Sequence, residues 1–118
     1  MAGPLSDIRV LDLSRVVAGP FAGQMLADLG ARIIKIERPG AGDDARGFAP
    51  PWLRDASGKD TREAAYFAAI NRGKHSITLN IAHPEGQAIV RALAATHDVF
   101  IENYKVRSEE HTSELQSH

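Results

Sequence analysis

The chain has 118 residues, of which 43% are hydrophobic and 25% are charged. This composition is typical of a globular domain and excludes collagen-like, low-complexity and wholly disordered classes. Fourteen Lys and Arg against fifteen Asp and Glu give a formal net charge of −1, which argues against binding to nucleic acid or to a membrane surface through bulk charge. The chain contains no cysteine, so disulfides, thiolate nucleophiles and cysteine metal sites are excluded.

We expect neither a membrane-spanning segment nor a secretory signal. No apolar run approaches the ~20 residues that cross a bilayer, and the first ten residues, MAGPLSDIRV, contain no apolar core of the kind found in signal peptides. The five histidines show no short metal-ligand spacing. The sequence therefore predicts a cytoplasmic protein that binds neither membrane nor nucleic acid and holds no metal ion.

The first 38 residues predict a β-α-β unit. Ile8–Leu13 forms an apolar run typical of a buried strand, and Ser14–Pro20 is a turn that leads into a helix. Gly30 stands where a glycine commonly ends a helix, and a second, parallel strand is expected up to Glu37. The helical spacing places four apolar residues on the face that we expect to be buried: Phe21, Met25, Leu26 and Leu29.

The remaining segments predict a long loop and a second β-α-β unit. Pro39–Arg62 is rich in Pro, Gly and Asp and is predicted to be a loop, although its Phe48 and Trp52 indicate packing. The following elements are expected to be a helical or extended segment Ala64–Ile70, a strand Ser76–Ile81, a helix Pro84–Ala95 capped by His83 with Ile89 and Leu93 on one face, and a strand Asp98–Glu102. We therefore predict an α/β fold with a Rossmann-like, open and mainly parallel sheet that is incomplete, because a second half is missing.

The composition changes at Arg107. The segment RSEEHTSELQSH contains a single strongly apolar residue, Leu115, and shows no strand or helix pattern. It is either a solvated tail or the in-frame translation of a sequencing-library adapter, and we favour the second interpretation. The predicted organisation is therefore residues 1–106 as the N-terminal part of a large domain and residues 107–118 as a non-native, disordered tail.

Four segments lie where an open α/β sheet commonly binds ligands, at the carboxyl ends of strands and in the turns beside them. The turn Ser14–Gly19 suits a phosphate, Glu37-Arg38 a ribose or a phosphate, and Asn71–Lys74 an anion, while Glu102–Lys105 offers an amide and an aromatic ring. Each segment has an equally simple structural explanation as a tight turn or a set of solvated charges. The residues alone leave these alternatives open.

Three long stretches together resemble one enzyme family. They are IRVLDLSRVVAGPFAGQMLADLGARIIKIERPGAGDDARG, YFAAINRGKHSITLNIAHPEG and DVFIENYK, and they resemble the class III coenzyme A transferases of the CaiB/BaiF type. The resemblance covers nearly all of Pro4–Lys105 and is greatest to the dicarboxylate-type transferases. It implies an acyl-CoA:carboxylate CoA-transferase with a Rossmann-like large domain and a smaller domain, assembled as an interlocked homodimer. Coenzyme A would be a substrate, and no prosthetic group is implied.

The resemblance also implies roles for individual residues. In the family a catalytic aspartate attacks the thioester and forms covalent intermediates, but this aspartate lies beyond the stretches that match, so no catalytic residue is expected in this chain. Many members have a lysine where Ala82 stands, and some have a glutamine where Val17 stands. The residues expected to bind coenzyme A are Val17 and Ala18 near the thioester, Arg38 at the nucleotide end, Leu79, Asn80, Ile81 and Ala82 beside the adenine and phosphates, Asn103, Tyr104 and Lys105 along the pantetheine path, and the basic turn residues Arg72 and Lys74.

Three other functions stay open. The chain is alternatively a non-catalytic module that binds coenzyme A or a nucleotide, or a fragment of an α-methylacyl-CoA racemase-type enzyme, which uses acid–base chemistry at Cα. A dinucleotide-dependent oxidoreductase is disfavoured because the glycine fingerprint is missing after the first strand. For the leading interpretation we expect the isolated fragment to be poorly stable, because a sheet edge and an interface would be exposed.

Overall fold

The computed structural model describes residues 3–103. Tyr104, Lys105 and the predicted tail 107–118 therefore lie outside the described residues, and so does the boundary predicted at Val106. The elements within the described range are the strands β1 (Arg9–Asp12), β2 (Arg32–Glu37), β3 (Trp52–Arg54), β4 (Asp60–Ala64), β5 (Lys74–Thr78) and β6 (Val99–Ile101), the helices α1 (Ala18–Asp28), α2 (Ala65–Asn71) and α3 (Pro84–Ala94), and a 3-10 helix Asp44–Gly47.

Four strands form one parallel sheet in the order β5-β2-β1-β6. The register pairs Val10 of β1 with Ile33 of β2 on one side and with Val99 of β6 on the other, while β5 pairs with the outer edge of β2. The central strands β1 and β2 carry apolar side chains on both faces of the sheet, as expected for a parallel sheet that helices cover on both sides. The predicted α/β class with a mainly parallel sheet is confirmed.

Alternating side chains of β1 divide the core between the two faces of the sheet. Leu11 packs with Leu13, Ile36 and, from α3, Val90. Val10 faces the opposite side, in a cluster that includes Ile33, Leu26 and Ala27. Burying a large aliphatic side chain stabilises the fold by ~1.5–3 kcal/mol. The burial of these side chains therefore holds α3 on one face of the sheet and α1 on the other.

The segment Pro39–Arg62 is more ordered than predicted. It contains the 3-10 helix and, through β3 and the start of β4, most of an antiparallel hairpin. Asp55 builds the hairpin turn, since its Oδ1 accepts hydrogen bonds from the backbone N–H of Ser57 at 2.9 Å and of Lys59 at 3.1 Å. The expected packing of Phe48 is confirmed by an edge-on contact with Tyr66, with ring centroids 5.4 Å apart.

The face of α1 that the sequence predicts to be buried is largely exposed. Phe21 is 52% exposed, Met25 55% and Leu29 47%, whereas Gly23 is buried and lies where a Cβ atom would come within 3.0 Å of Asp12 Oδ2. The helix therefore approaches the sheet through its small residues. Helical periodicity locates an apolar stripe, but it does not say whether anything within the same chain covers that stripe.

Smaller differences concern the second half of the chain. In α3 it is Val90 that is fully buried, while Ile89, named in the sequence pattern with Leu93, is 45% exposed. The fifth strand begins at Lys74 rather than at Ser76 and ends before Leu79. The predicted cap of α3 is confirmed, because His83 Nδ1 accepts a hydrogen bond from the backbone N–H of Glu85 at 3.1 Å. Residues 3–103 contain no helix long and apolar enough to span a membrane.

Candidate functional site

A pocket of about 240 Å³ lies at the carboxyl ends of β1 and β2 and beside the segment that follows β5. Ligands of open parallel sheets bind in this position. The pocket brings together five of the residues predicted to bind coenzyme A, joining Arg38 to the consecutive residues Leu79–Ala82, which are far from it in sequence. Its lining consists of Leu13, Ser14, Arg15, Lys35, Ile36, Glu37, Arg38, Gly42, Asp43, Leu79, Asn80, Ile81 and Ala82.

The β1–α1 turn, residues Ser14–Val17, contributes Ser14 and Arg15 to one wall of the pocket. Val16 adopts a left-handed backbone conformation with φ of 72°, which is costly for a β-branched residue. The turn also requires a glycine at position 19, because a Cβ atom there would overlap the side chain of Ser14. This turn therefore has a defined and strained conformation.

The β1–α1 turn is held by side chains from two other strand ends. Lys35 Nζ donates a hydrogen bond to the Ser14 carbonyl at 2.9 Å, and the Val16 N–H donates to Asp43 Oδ1 at 3.0 Å. The Asn103 side-chain amide accepts a hydrogen bond from the Arg15 backbone N–H at 3.1 Å and donates one to the Arg15 carbonyl at 2.8 Å. Asn103, predicted to line the pantetheine path, thus holds the turn that carries Val17 and Ala18.

Val17 and Ala18 lie at the amino end of α1. Val17 is the N-cap residue, is 43% exposed and provides no side-chain hydrogen bond to the helix, and Ala18 is the first helical residue. Free N–H groups at a helix start carry partial positive charge and attract anions. Both residues border the turn that forms the pocket wall, although neither lines the pocket itself.

Charged side chains form the floor of the pocket. Lys35 Nζ lies 2.9 Å from Asp43 Oδ2, and both side chains are 1% exposed. Glu37 accepts from Arg46 Nε at 2.7 Å and Arg46 Nη2 at 2.8 Å, and also from Ser76 Oγ. Burial raises the pKa of Glu37, but hydrogen bonds from Arg46, Ser76 and the Asp43 N–H outweigh it and lower the pKa to about 2. Glu37 is therefore ionised at neutral pH and fixes the loop that follows β2.

Arg38 is a cation of the pocket lining that a ligand can reach. Its guanidinium pairs with Asp44, and the two side chains are 51% and 43% exposed. Exposed ion pairs contribute only ~0–1 kcal/mol, so an anionic ligand can replace Asp44 at little cost. The same pocket is lined by Leu79, Asn80, Ile81 and Ala82. These residues combine apolar surface with one amide, which suits a ring together with a charged group.

Arg72 and Lys74 do not join this pocket. Lys74 Nζ lies 2.9 Å from Asp12 Oδ2 and donates to the Pro20 carbonyl at 2.8 Å and Asn71 Oδ1 at 2.9 Å. Burial lowers the pKa of Lys74, and Asp12 opposes this shift. Arg72 pairs with Asp28 at 2.8 Å beside a separate pocket of about 390 Å³ near β4 and α2. The structure thus gives both cations partners within the chain, and their contact with coenzyme A stays a prediction.

Sequence reasoning missed two residues that shape the site, Lys35 and Asp43. Lys35 stands among isoleucines in a predicted strand, and a charge inside an apolar run is a signal for a buried ion pair. Asp43 lies in the segment predicted to be a loop, where the sequence pattern gives no indication of its partner. Among residues 3–103 no group of three His, Asp or Glu side chains is placed to hold a metal ion.

Comparison with known proteins gives the same family throughout. The sequence model described as "CoA-transferase family III" matches residues 5–113. The succinate–glutarate CoA-transferase of Agrobacterium fabrum is 56% identical over 102 residues, covering 86% of this chain and 25% of the relative. The succinyl-CoA:glutarate CoA-transferase of Mus musculus is 54% identical over 101 residues, covering 86% and 22% respectively.

Solved structures agree with these relatives. A CaiB/BaiF family protein from Brucella suis superposes with a TM-score of 0.85 at 42% identity, covering 99% of this chain and 31% of that one. A hypothetical protein from Mycobacterium tuberculosis gives a TM-score of 0.80 at 39% identity, with coverages of 98% and 31%. The chain spans about a quarter of the length of the curated relatives it matches. The resemblance noted in the sequence is confirmed, and the chain belongs to CoA-transferase family III.

Proposed function

We propose that this chain is the N-terminal part of an acyl-CoA:carboxylate CoA-transferase and that its pocket holds the nucleotide end of coenzyme A. The observation that carries the proposal is the convergence of Arg38 with Leu79–Ala82 at the carboxyl ends of the parallel strands. Arg38 would pair with a phosphate, as an arginine does more strongly than a lysine. Leu79 and Ile81 would pack against the adenine, and Asn80 would bond its polar edge.

The proposed substrates are dicarboxylic acids and their CoA thioesters. The relatives that are 43–56% identical to this chain include enzymes named for succinate, glutarate, mesaconate and D-citramalate. Each of these names an acid with two carboxyl groups. By this proposal the enzyme moves coenzyme A from a donor such as succinyl-CoA to a second dicarboxylate, in a cytoplasmic homodimer, with no prosthetic group.

In the proposed mechanism this chain binds coenzyme A, and the rest of the enzyme supplies the nucleophile. A carboxylate nucleophile attacks the thioester carbonyl and the CoA thiolate leaves, which gives an anhydride. The thiolate then attacks the nucleophile's own carbonyl, which forms an enzyme–CoA thioester and releases the first acid. The acceptor carboxylate attacks this thioester and expels the CoA thiolate, and the thiolate attacks the acceptor's carbonyl in the second anhydride, which gives the new acyl-CoA and frees the nucleophile. Val17 and Ala18 would hold the cofactor near the thioester, and Arg38 would anchor its far end. We assign the nucleophile to sequence beyond this chain, so the chain alone would bind without catalysing.

The binding claim is tested by calorimetric titration of the 118-residue chain with coenzyme A. Replacing Arg38 by Ala should weaken binding about 10-fold to 100-fold, because a charge-assisted hydrogen bond contributes about 1.5–3 kcal/mol. Arg54→Ala is the matched control, since Arg54 also belongs to an exposed ion pair, with Asp60 at 3.5 Å, but does not line the pocket. The proposal would be overturned if the folded chain did not bind coenzyme A, or if Arg38→Ala bound it with unchanged affinity.

The catalytic claim is tested on the full gene product. Long-read sequencing of the source DNA through the Val106 codon would show whether the reading frame continues into a longer product. The full product should form glutaryl-CoA from succinyl-CoA and glutarate, whereas the 118-residue chain should not. Exchange of a Cα proton with D2O on a 2-methylacyl-CoA, without transfer, would support the racemase instead. Binding without either activity in the full product would support the non-catalytic module.

A further inference from the structure

The conformation of Val16 needs an explanation from its surroundings. Its φ of 72° lies in the left-handed region, where its branched Cβ crowds the backbone. Such a conformation persists only where neighbouring groups enforce it. Val16 directly precedes Val17 and Ala18, so its backbone angle decides where the amino end of α1 points.

One buried carboxylate enforces this conformation. Asp43 is 4% exposed, and its Oδ1 accepts hydrogen bonds from the N–H of Val16 and of Ala45, each at 3.0 Å. Its Oδ2 lies 2.9 Å from Lys35 Nζ. Asp43 thus joins the β1–α1 turn, the 3-10 helix and strand β2 at a single point.

Lys35 strengthens the same junction from the other side. Its ammonium contacts Asp43 and also donates to the Ser14 carbonyl at 2.9 Å. The carboxylate therefore holds the turn through Val16 directly and through Ser14 by way of Lys35. A carboxylate supplies two oxygens for these contacts, whereas an amide supplies one.

We infer that Asp43 is a positioning residue for coenzyme A binding: it locks Val16 in the left-handed conformation and so aims Val17 and Ala18 at the ligand. The inference rests on the proposed function. Asp43 borders the pocket, but its side chain is 1% exposed and its oxygens face Val16, Ala45 and Lys35, so it acts through the β1–α1 turn. It also couples the two walls of the pocket, because the loop that carries Asp43 begins at Arg38, the residue that anchors the nucleotide end.

The test uses glycine at position 16 as a rescue. Asp43→Asn keeps the size of the side chain, but its amide has only one oxygen. It cannot accept a hydrogen bond from the Val16 N–H and also place an oxygen against Lys35, so affinity for coenzyme A should fall about tenfold. Glycine takes a positive φ at no steric cost. Val16→Gly alone is the reference for this comparison. Introducing Asp43→Asn into Val16→Gly should cost much less affinity than introducing it into the unaltered chain, because glycine no longer needs Asp43 to enforce the positive φ. Thermal midpoints are recorded for every variant.

A second variant guards against misfolding. Asp43→Glu keeps a negative charge beside Lys35, while its extra methylene displaces the carboxylate from the Val16 N–H. It should also lose affinity and be rescued by Val16→Gly. A purely structural role predicts instead that affinity follows the thermal midpoint and that glycine gives no recovery, which would overturn the inference. If the unaltered chain does not bind coenzyme A, the proposed function falls and this inference with it. If it binds and the Asp43 variants bind equally well, the inference alone falls.

Discussion

The ammonium of Lys74 lies 2.9 Å from the Oδ2 atom of Asp12, and the two side chains are 1% and 0% exposed. Lys74 was predicted from the sequence as an anion ligand, whereas in the fold it ties β5 to the end of β1 and, through the Pro20 carbonyl, to α1. Its neighbour in the same basic turn, Arg72, pairs with Asp28 at the surface, where the side chains are 62% and 48% exposed. Two cations two residues apart therefore sit in opposite environments.

This contrast gives the first prediction. Replacing Lys74 by Met should destabilise the fold by about 3–5 kcal/mol, because it leaves the Asp12 carboxylate buried without a countercharge. Arg72→Met should cost no more than about 1 kcal/mol. Asp12→Asn combined with Lys74→Met should cost less than Lys74→Met alone, since a neutral amide needs no countercharge. Urea unfolding at pH 7, followed by the fluorescence of Trp52, measures all three. Equal losses in Lys74→Met and Arg72→Met would contradict the assignment.

The second prediction concerns acid stability. The pKa of Glu37 falls from 4.5 to about 2 in the fold. A lowered carboxyl pKa stabilises the fold above the unfolded value, and the stabilisation is lost as the pH falls from about 4.5 to about 2. The shift corresponds to a loss on the order of 3 kcal/mol. Unfolding free energies measured between pH 6 and pH 3 should drop steeply in the unaltered chain and less steeply in Glu37→Gln.

Asp60→Asn is the control for this pH dependence. Asp60 also pairs with an arginine, but its side chain is 60% exposed, so its replacement should leave the slope of stability against pH nearly unchanged. If Glu37→Gln and the unaltered chain lose stability in parallel over the same range, Glu37 is not the group that governs the acid response.

The sequence predicted the layers of this fold well and its ion pairs poorly. Strand and helix positions follow from local patterns of apolar residues, so Leu11 and Ile33 could be assigned to strands of the sheet in advance. Val90, the buried residue of α3, was not singled out, because the pattern drew attention to Ile89 and Leu93 instead. The partner of Lys35 could not be predicted, because Asp43 joins it through a loop whose path depends on the 3-10 helix. Only the resemblance to a known family predicted that Arg38 and Ala82 contribute to the same binding site. No spacing rule relates residues on separate loops across a sheet.

The third prediction is a gain of affinity at Ala82. This residue is exposed and lines the pocket, and many members of the resembling family have a lysine there. Ala82→Lys should tighten binding of coenzyme A about threefold to tenfold, through an added ionic contact with a phosphate. The gain should shrink at high salt, because exposed charges are screened. Calorimetric titration at low and high ionic strength measures both effects.

Ala95→Lys is the matched control, because Ala95 is exposed at the end of α3 and does not line the pocket. It should leave the affinity unchanged at both salt concentrations. Equal tightening in the two variants would mean that overall charge attracts the ligand, and no change in either would place the phosphates elsewhere.

The fourth prediction concerns the exposed apolar side chains of α1. Phe21 and Met25 are 52% and 55% exposed and stand four residues apart, so they lie side by side on one face of the helix. Adjacent exposed apolar side chains bind apolar dyes and promote self-association. The chain should enhance the fluorescence of anilinonaphthalene sulfonate and sediment as more than a monomer at high concentration. Gln at both positions should reduce both signals and change stability by about 0.5 kcal/mol or less, since little buried area is lost. Ile89→Gln, at a side chain 45% exposed on α3, should change neither signal, and a dye response that survives the α1 double variant would refute the assignment.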